Sequence, residues 1–208
     1  MQTAPKKVIN GWAMYDWANS TYSLVITSTI FPAYFTAIAP KEIQMFGRTF
    51  ERNALASYAI SLSFLIIAIL SPILSSIADY KGNKKSFMKF FCYLGSIACI
   101  SMIFFTKENI GFGLLLSIVA AIGYCGSIVF YNAYLPEIAA EEDQDRVSAK
   151  GFALGYIGSV ILMVLCLVVI ILNDNMHLGW GSWPARFSFV SVGLWWAGFA
   201  QILSLIHI

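Results

Sequence analysis

The chain has 208 residues, of which 59% are hydrophobic and only 12% carry charge. Soluble globular domains carry charge on about 25% of their residues, so this composition excludes an ordinary water-soluble domain and indicates a membrane protein. The formal net charge of +2 gives no reason to expect a nucleic acid or another polyanion as a partner.

Six apolar runs are long enough to cross a bilayer as helices, since about 20 helical residues span roughly 30 Å of hydrocarbon. We place them at about 12–39, 54–78, 87–106, 111–135, 148–172 and 185–206. The runs are continuous rather than alternating, which favours helices over the strands of a membrane barrel. The four cysteines lie inside these runs without metal-ligand spacing, and we expect neither a metal nor a cofactor.

Basic residues are unequally shared between the two sides that six crossings define. One side, which includes both termini, holds Lys6, Lys7, Lys81, Lys84, Lys85, Lys89, Arg146 and Lys150. The other side holds Lys41, Arg48, Arg52, Lys107 and Arg186. Positively charged flanks are retained in the cytoplasm, so both ends of the bundle are predicted to be cytoplasmic.

The first run carries a polar stripe. Asp16, Ser20, Ser23 and Thr27 recur at the spacing of one helix face, with Asn19 beside them. A carboxylate in hydrocarbon is costly, which makes Asp16 a candidate gate or proton-coupling group. The simpler alternatives are helix packing by the hydroxyls and an interfacial carboxylate that complements the helix N-terminus.

The fourth and fifth runs carry two further patterns. In the fourth run Tyr124, Ser127 and Tyr131 recur near the helical period, and Asn132 is adjacent to them. The fifth run opens with Gly151, Gly155 and Gly158, a spacing that allows another helix backbone to approach closely. The third and sixth runs lack polar stripes, and we expect their aromatic residues to face lipid. These are Phe90, Phe91, Phe104, Phe105, Trp195 and Trp196.

The stretch SSIADYKGNKK separates the second run from the third. Asp79, Gly82, Lys84 and Lys85 fit the G-x-x-x-D-x-x-G-x-[RK]-[RK] loop of the major facilitator superfamily, although Ser75 stands where the first glycine is usual. This loop resembles the superfamily's cytoplasmic loop between helices two and three.

The resemblance implies a gating role for this loop as a cytoplasmic latch. Asp79 would accept hydrogen bonds from a helix N-terminus or pair with a cation such as Arg146, while Gly82 permits a tight turn. A solvated loop that only sets the topology is the alternative, and it explains the lysines alone.

Four other segments resemble the vacuole-effluxer branch of the same superfamily. They are GWAMYDWANSTY at 11–22, FYNAYLPEIA at 130–139, RVSAKGFALGYIGS at 146–159 and RFSFVSVGLWW at 186–196. The resemblance implies a secondary transporter with twelve helices in two halves, each half being two inverted three-helix repeats. It also implies a small solute held between the halves, with amino acids as the best-known precedent and protons as the candidate coupling ion.

In that fold helices one and four line the central cavity, so the polar residues named in those two runs are expected to face it. The chain would supply the N-terminal half alone. We expect the final LSLIHI, 203–208, to be non-native, because it matches one translated frame of a transposon mosaic end used in sequencing adapters. The alternative is a Leu- and Ile-rich tail that ends the sixth helix.

Two other functional classes are weighed against a carrier. A channel or structural membrane subunit, built as a homo-oligomer of six-helix chains, is the main alternative. An intramembrane enzyme is disfavoured, because Asp16 has no second aspartate motif and His177 lies in a loop. The resemblance to bacterial transporters points to an inner-membrane location.

Overall fold

The computed structural model describes residues 2–205, apart from the side chains of Asp79, Lys81, Ser204 and Leu205. Six long helices form most of this part of the chain: α1 (Lys6–Ile38), α2 (Arg52–Lys81), α3 (Lys84–Ser101), α4 (Ile110–Ala133), α5 (Gln144–Asn175) and α6 (Trp183–Leu205). Three short helical turns join them: Met102–Phe104 follows α3, Leu135–Ile138 follows α4, and Glu141–Asp143 precedes α5. Each predicted run lies on one of the six helices, which confirms the all-helical transmembrane fold.

Five of these helices, α1 to α5, have both the length and the hydropathy of a membrane crossing within the described residues. The sixth, α6, has 23 residues, which at 1.5 Å per residue is about 34 Å. It is not among the helices that meet both criteria within the described residues. Its crossing of the membrane therefore stays a prediction. The side chain of Leu203 is buried in the bundle, and residues 206–208 of the predicted non-native tail lie outside the described residues.

The helices pack in an order that differs from their order along the chain. α1 packs along α5 and α6, α4 packs along α2 and α3, and α3 packs against α6. The two halves of the chain pack in the same way. The pair α1 and α5 corresponds to α4 and α2, the pair α1 and α6 corresponds to α4 and α3, and the pair α3 and α6 corresponds to itself. Since three crossings separate each helix from its counterpart, the counterparts run in opposite directions, as in two inverted three-helix repeats.

The helices α1, α3, α4 and α6 form the centre of the bundle, and α2 and α5 flank it. Only 11% of the most apolar stretch of α2 is buried, and 28% of that of α5, against 44% in each of α1, α3 and α4. The two flanking helices therefore present most of their apolar surface to the surroundings.

The prediction that the aromatic residues of α3 and α6 face lipid is wrong for half of the set. Phe91, Phe105 and Trp196 are at most 5% exposed and belong to the core, whereas Phe90 and Phe104 are 60% and 67% exposed. The reason is that α3 and α6 pack against each other and against α4 and α1, so that each has one inner face.

Glycines let α3 and α4 touch backbone to backbone. A methyl group built on Gly123 would lie 2.5 Å from the Cα of Gly95 and 2.8 Å from the carbonyl oxygen of Phe91. A methyl group on Gly95 would overlap the ring of Trp196. Close packing of small residues is a main source of helix association in membranes, so this contact helps to hold the centre together.

The middle of α1 is not α-helical. It runs as Lys6–Thr21 and Phe31–Ile38 in the α conformation, separated by the wider turns of a π-helix over Tyr22–Ile30. The hydroxyl groups of Ser28 and Thr29 donate to carbonyl oxygens five residues earlier, at 2.9 Å and 2.8 Å. Such segments are rare and occur frequently at functional sites.

A two-stranded hairpin that the sequence did not lead us to expect joins α1 to α2. Strand β1 (Glu42–Met45) pairs antiparallel with β2 (Arg48–Glu51). The two turn residues, Phe46 and Gly47, have φ of 53° and 71°, the left-handed pair that a two-residue type I′ turn requires. The hairpin keeps this connection short and regular.

The hairpin ends in a cap for α2. The backbone N–H of Ala54 donates to Oε2 of Glu51 at 2.9 Å. This bond, with a second from the N–H of Asn53, lowers the pKa of the Glu51 carboxyl group. The carboxylate therefore satisfies N–H groups that the first helical turn leaves without a partner.

The turn between α2 and α3 is closed by a Schellman motif. Gly82 has a φ of +61°, and the N–H of Asn83 donates to the carbonyl oxygen of Ala78 at 3.0 Å. Apart from its own chain neighbours, no atom of the described residues lies within 4 Å of where a methyl group on Gly82 would stand. Glycine is needed at this position for its backbone conformation rather than for space.

We predict that Gly82→Ala destabilises the bundle by about 1 kcal/mol, because the left-handed conformation is sterically unfavourable for a residue with a Cβ atom. Equilibrium unfolding in mixed detergent micelles measures the loss. Gly198→Ala is the matched control, since Gly198 is helical and also has nothing within 4 Å. Equal effects of the two substitutions would contradict the assignment.

We predict that Gly123→Ala is more harmful than Gly82→Ala, with a loss of about 1–3 kcal/mol, because the methyl group meets backbone atoms and α3 and α4 must separate. The same unfolding measurement applies. Gly111→Ala, in the same helix, serves as the control, since its methyl group would be 3.4 Å from Met45. A stable Gly123→Ala variant would show that the helix contact is not tight.

Candidate functional site

A groove runs along α1 and α4, with α2 on one flank and α5 on the other. Three cavities follow it: one reaches Phe64 of α2, and two reach Phe152 of α5. Tyr124 of α4 lines all three, so the cavities meet at that ring. We call this surface the groove.

Seven of the nine residues predicted to face a central cavity line the groove. They are Asp16, Ser20, Ser23, Thr27, Tyr124, Tyr131 and Asn132. The fold thus brings the polar side chains of the first and fourth runs together, as the inverted repeat requires. Their role in binding or coupling stays a prediction.

The structure corrects the other two positions. Asn19 and Ser127 are fully buried and line none of the three cavities. Each lies three residues after a groove residue, about 60° round the helix, which turns it into the bundle. The hydroxyl group of Ser127 donates to the carbonyl oxygen of Tyr124 at 2.9 Å, a bond within α4.

Sequence reasoning missed part of the groove. Ser28 lines the groove because of the π-helical turns of α1. Each residue of a π-helix rotates about the axis by less than the 100° of an α-helix, which was assumed for the predicted stripe. As a result Ser28 lies with Ser20 on the α5 side, and Thr27 lies on the α2 side. Trp12, one turn before Asp16, could have been found by extending the stripe.

Asp16 is the buried charge of the groove. Its side chain is 8% exposed, and its Oδ1 accepts a hydrogen bond from the hydroxyl group of Ser20 at 2.8 Å. It makes no ion pair with any described residue, and no lysine, arginine or histidine lines the cavity beside it. A buried carboxylate without a counter-charge is costly, so its neighbourhood must supply a proton, water or a cationic ligand.

Tyr131 joins α4 to α1 beside this carboxylate. Its ring stacks on Trp12 with centroids 4.3 Å apart, and the indole N–H of Trp12 donates to the Tyr131 carbonyl oxygen at 3.0 Å. The hydroxyl group of Tyr131 is buried and has no hydrogen-bond partner among the described residues. The stack fixes the ring and leaves the hydroxyl group available.

The glycines of α5 make room for the groove residues of α1. A methyl group on Gly151 would lie 2.9 Å from the Tyr131 hydroxyl oxygen and 3.3 Å from Asp16 Oδ2. One on Gly155 would lie 2.7 Å from the Ser20 hydroxyl oxygen, and one on Gly158 would lie 2.9 Å from the Trp17 ring. The predicted close approach of another helix therefore has an identified partner in α1.

Residues of the predicted gating loop lie at the end of the bundle that carries the N-terminus. Lys84 Nζ is 2.6 Å from Glu137 Oε1, and Arg146 binds Asp143 at 2.8 Å. Lys85 begins α3 beside Lys84, and the side chain of Asp79 lies outside the described residues. The structure thus pairs two cations of the loop region with carboxylates that sequence reasoning did not name.

Both flanks of the groove are apolar and exposed. On α2, Phe64 and Leu65 are 55% and 57% exposed; on α5, Phe152 and Leu165 are 61% and 56% exposed. Such surfaces suit lipid or another apolar helix. Within the described residues no group of three or more His, Cys, Asp or Glu side chains could hold a metal ion.

A family model described as "Vacuole effluxer Atg22 like" matches residues 4–207 of the chain. The chain is 38% identical to the uncharacterized MFS-type transporter YxiO of Bacillus subtilis, over 91% of the chain and 44% of that relative. It is 21% identical to autophagy-related protein 22 of Gibberella zeae, over 93% of the chain and 43% of the relative. It is 20% identical to the protein of the same name from Pyricularia oryzae, over 93% of the chain and 40% of the relative.

No solved structure matches the chain. The chain spans less than half the length of these curated relatives. The family is named for efflux and the Bacillus subtilis relative for transport, which agrees with the expectation that the chain is not an enzyme. This multi-pass membrane protein belongs to the vacuole effluxer Atg22-like family.

Proposed function

We propose that the chain is one six-helix half of a secondary transporter that moves a small solute across a membrane by alternating access. The observation that carries the proposal is the groove, in which a buried carboxylate, hydroxyl groups and aromatic rings from α1 and α4 face one surface. Polar side chains inside a membrane bundle usually line a water-filled cavity or a transport pathway. Amino acids are the candidate solutes.

A second six-helix unit from the same protein is the proposed cover of the groove. The curated relatives are more than twice as long as this chain, which leaves room for such a unit. The exposed apolar flanks of α2 and α5 would lie beside it, and rocking between the two units would open the groove to either side. A second copy of this chain is the competing occupant, and it would build a homo-oligomeric channel or carrier.

We further propose that the end with the N-terminus is cytoplasmic, in a bacterial inner membrane. The N–H of Ala4 donates to the carbonyl oxygen of Ile138 at 2.9 Å, and Lys150 bonds Asn10, so the N-terminus lies beside the connection from α4 to α5. The turn from α2 to α3 joins this end through Lys84 and Glu137. The larger share of basic residues therefore lies on one side, as positive-inside retention requires.

Asp16 is the proposed proton-coupling group. A carboxylate that is buried beside a cavity can be neutralised by a proton when the cavity closes and release it when water enters. The titratable side chains that line the cavity beside it are Tyr124 and Tyr131 of α4, and the lysine nearest along α5, Lys150, bonds Asn10. Since none of these forms an ion pair with Asp16, a proton is the simplest neutralising partner.

We predict that Asp16→Asn in the uninterrupted protein lowers solute flux driven by a pH gradient by about tenfold or more, because the amide cannot take up a proton. Flux of labelled amino acids into proteoliposomes measures it. Glu142→Gln is the control, since Glu142 is exposed and outside the groove. Full pH-driven flux in Asp16→Asn would remove the coupling role. Equal flux from oligomers of the 208-residue chain alone would favour the homo-oligomer.

The loop between α2 and α3 is the proposed latch of the outward-facing state. We predict that Asp79→Ala shifts the uninterrupted protein toward the inward-facing state, because the latch loses its carboxylate. Maleimide labelling of cysteines placed in the groove, at Ser23 and at Asn132, measures access from each side. Unchanged labelling from both sides would show that the loop only sets the topology.

A further inference from the structure

We propose that the cavity beside Asp16 binds the ammonium group of an organic amine. This makes Asp16 a solute-binding residue as well as the proposed proton carrier. The inference rests on the transport function proposed above and adds the chemical class of the solute's polar head. It follows from the contacts of three groups that border one small space: the Asp16 carboxylate, the Tyr131 hydroxyl group and Gly151.

The carboxylate has unused binding capacity. Ser20 donates to Oδ1, and no described residue donates to Oδ2. A carboxylate that is 8% exposed needs a partner of opposite charge or several donors, and the lining of this cavity offers no cation. An ammonium group supplies both the charge and up to three N–H donors.

A second oxygen faces the same space. Tyr131 is 4% exposed, lines this cavity, and its hydroxyl oxygen has no partner among the described residues. A methyl group on Gly151 would stand 2.9 Å from that oxygen and 3.3 Å from Asp16 Oδ2. Both oxygens are therefore in close contact with Gly151 and lie within about 6 Å of each other, a separation that one ammonium group can bridge.

The remaining lining suits the organic part of such a solute. The rings of Trp12, Tyr124 and Phe152 border the cavity together with Ile128. Aromatic rings attract ammonium groups by cation–π interaction and accept an apolar substituent. The combination of one carboxylate with aromatic walls is the chemistry that recognises an organic cation.

Other ligands fit these residues less well. A divalent metal ion such as Ca²⁺ takes about six to eight oxygen ligands, often from several carboxylates. The described lining of this cavity has a single carboxylate, that of Asp16. A solute that carries only a negative charge meets no cation in the groove. An amine and the proposed coupling proton would compete for the same carboxylate, so that the arrival of one would release the other.

The test is calorimetric titration of the purified 208-residue chain in lipid nanodiscs with benzylamine, with phenylalanine as an amine that also carries a carboxylate. Benzyl alcohol is the uncharged control ligand. We expect benzylamine to bind, benzyl alcohol to bind about tenfold or more weakly, and Asp16→Asn to weaken benzylamine by a similar factor. Binding of benzylamine but not phenylalanine would show that this half accepts amines and lacks a site for a solute carboxylate.

Three further variants separate a binding role from a folding role. Gly151→Ala places a methyl group against both oxygens, which must then shift, and should weaken benzylamine as Asp16→Asn does. Gly198→Ala, on α6 and outside the three cavities, should leave benzylamine binding unchanged, as should Glu142→Gln. Thermal unfolding of each variant identifies any loss of fold. Unaltered benzylamine affinity in folded Asp16→Asn, or equal affinity for benzyl alcohol, would overturn the inference.

The outcomes also distinguish this inference from the transport function. If the uninterrupted protein shows Asp16-dependent, pH-driven flux and the chain binds no amine, the ammonium site is wrong and the transporter stands. If amine binds at Asp16 and no flux is found, the site stands and the transport function is wrong.

Discussion

Asp16 places a carboxylate inside a helical bundle that lies in hydrocarbon, and the packing around it is arranged for that one group. Ser20 donates to it from the same helix, Tyr131 and Trp12 form a rigid aromatic wall beside it, and the glycines of α5 leave its second oxygen uncovered. Since the energetic cost of the charge falls when a proton, water or a cation reaches it, the groove has a physical reason to change its contents.

Glycine is needed in this fold for two separate reasons. At Gly82 the backbone needs a left-handed conformation and there is free space around the Cα, whereas at Gly95 and Gly123 the backbone is ordinary and the space is taken by a neighbouring helix. The second use holds α3 against α4 at the centre of the bundle. The contact of α1 with α5 uses the same device at Gly155, and there it also sets the depth of the groove.

The sequence allowed the helices and the polar stripes to be predicted, because apolar runs and helical periods survive in any packing arrangement, and the resemblance to the superfamily implied the inverted repeat and the pairing of helices one and four. It did not allow the π-helical turns of α1 to be foreseen, so Ser28, which lines the groove, was missed. Asn19 shows a different limit: polarity alone does not tell which side of a helix faces the interior. The hairpin turn was hidden because its first residue, Phe46, is one that rarely adopts a positive φ.

The polar groove, rather than the apolar flanks, would supply most of the free energy for association with the proposed second unit. In a bilayer, exposed leucine and phenylalanine on α2 and α5 are as well solvated by lipid tails as by another helix, so their burial contributes little. The carboxylate and hydroxyl groups of the groove gain far more from being covered, because lipid cannot hydrogen-bond to them. The proposed second unit, held by polar contacts in the middle and by weakly bound apolar surfaces on either side, would be free to rock about the groove. That freedom is what alternating access requires.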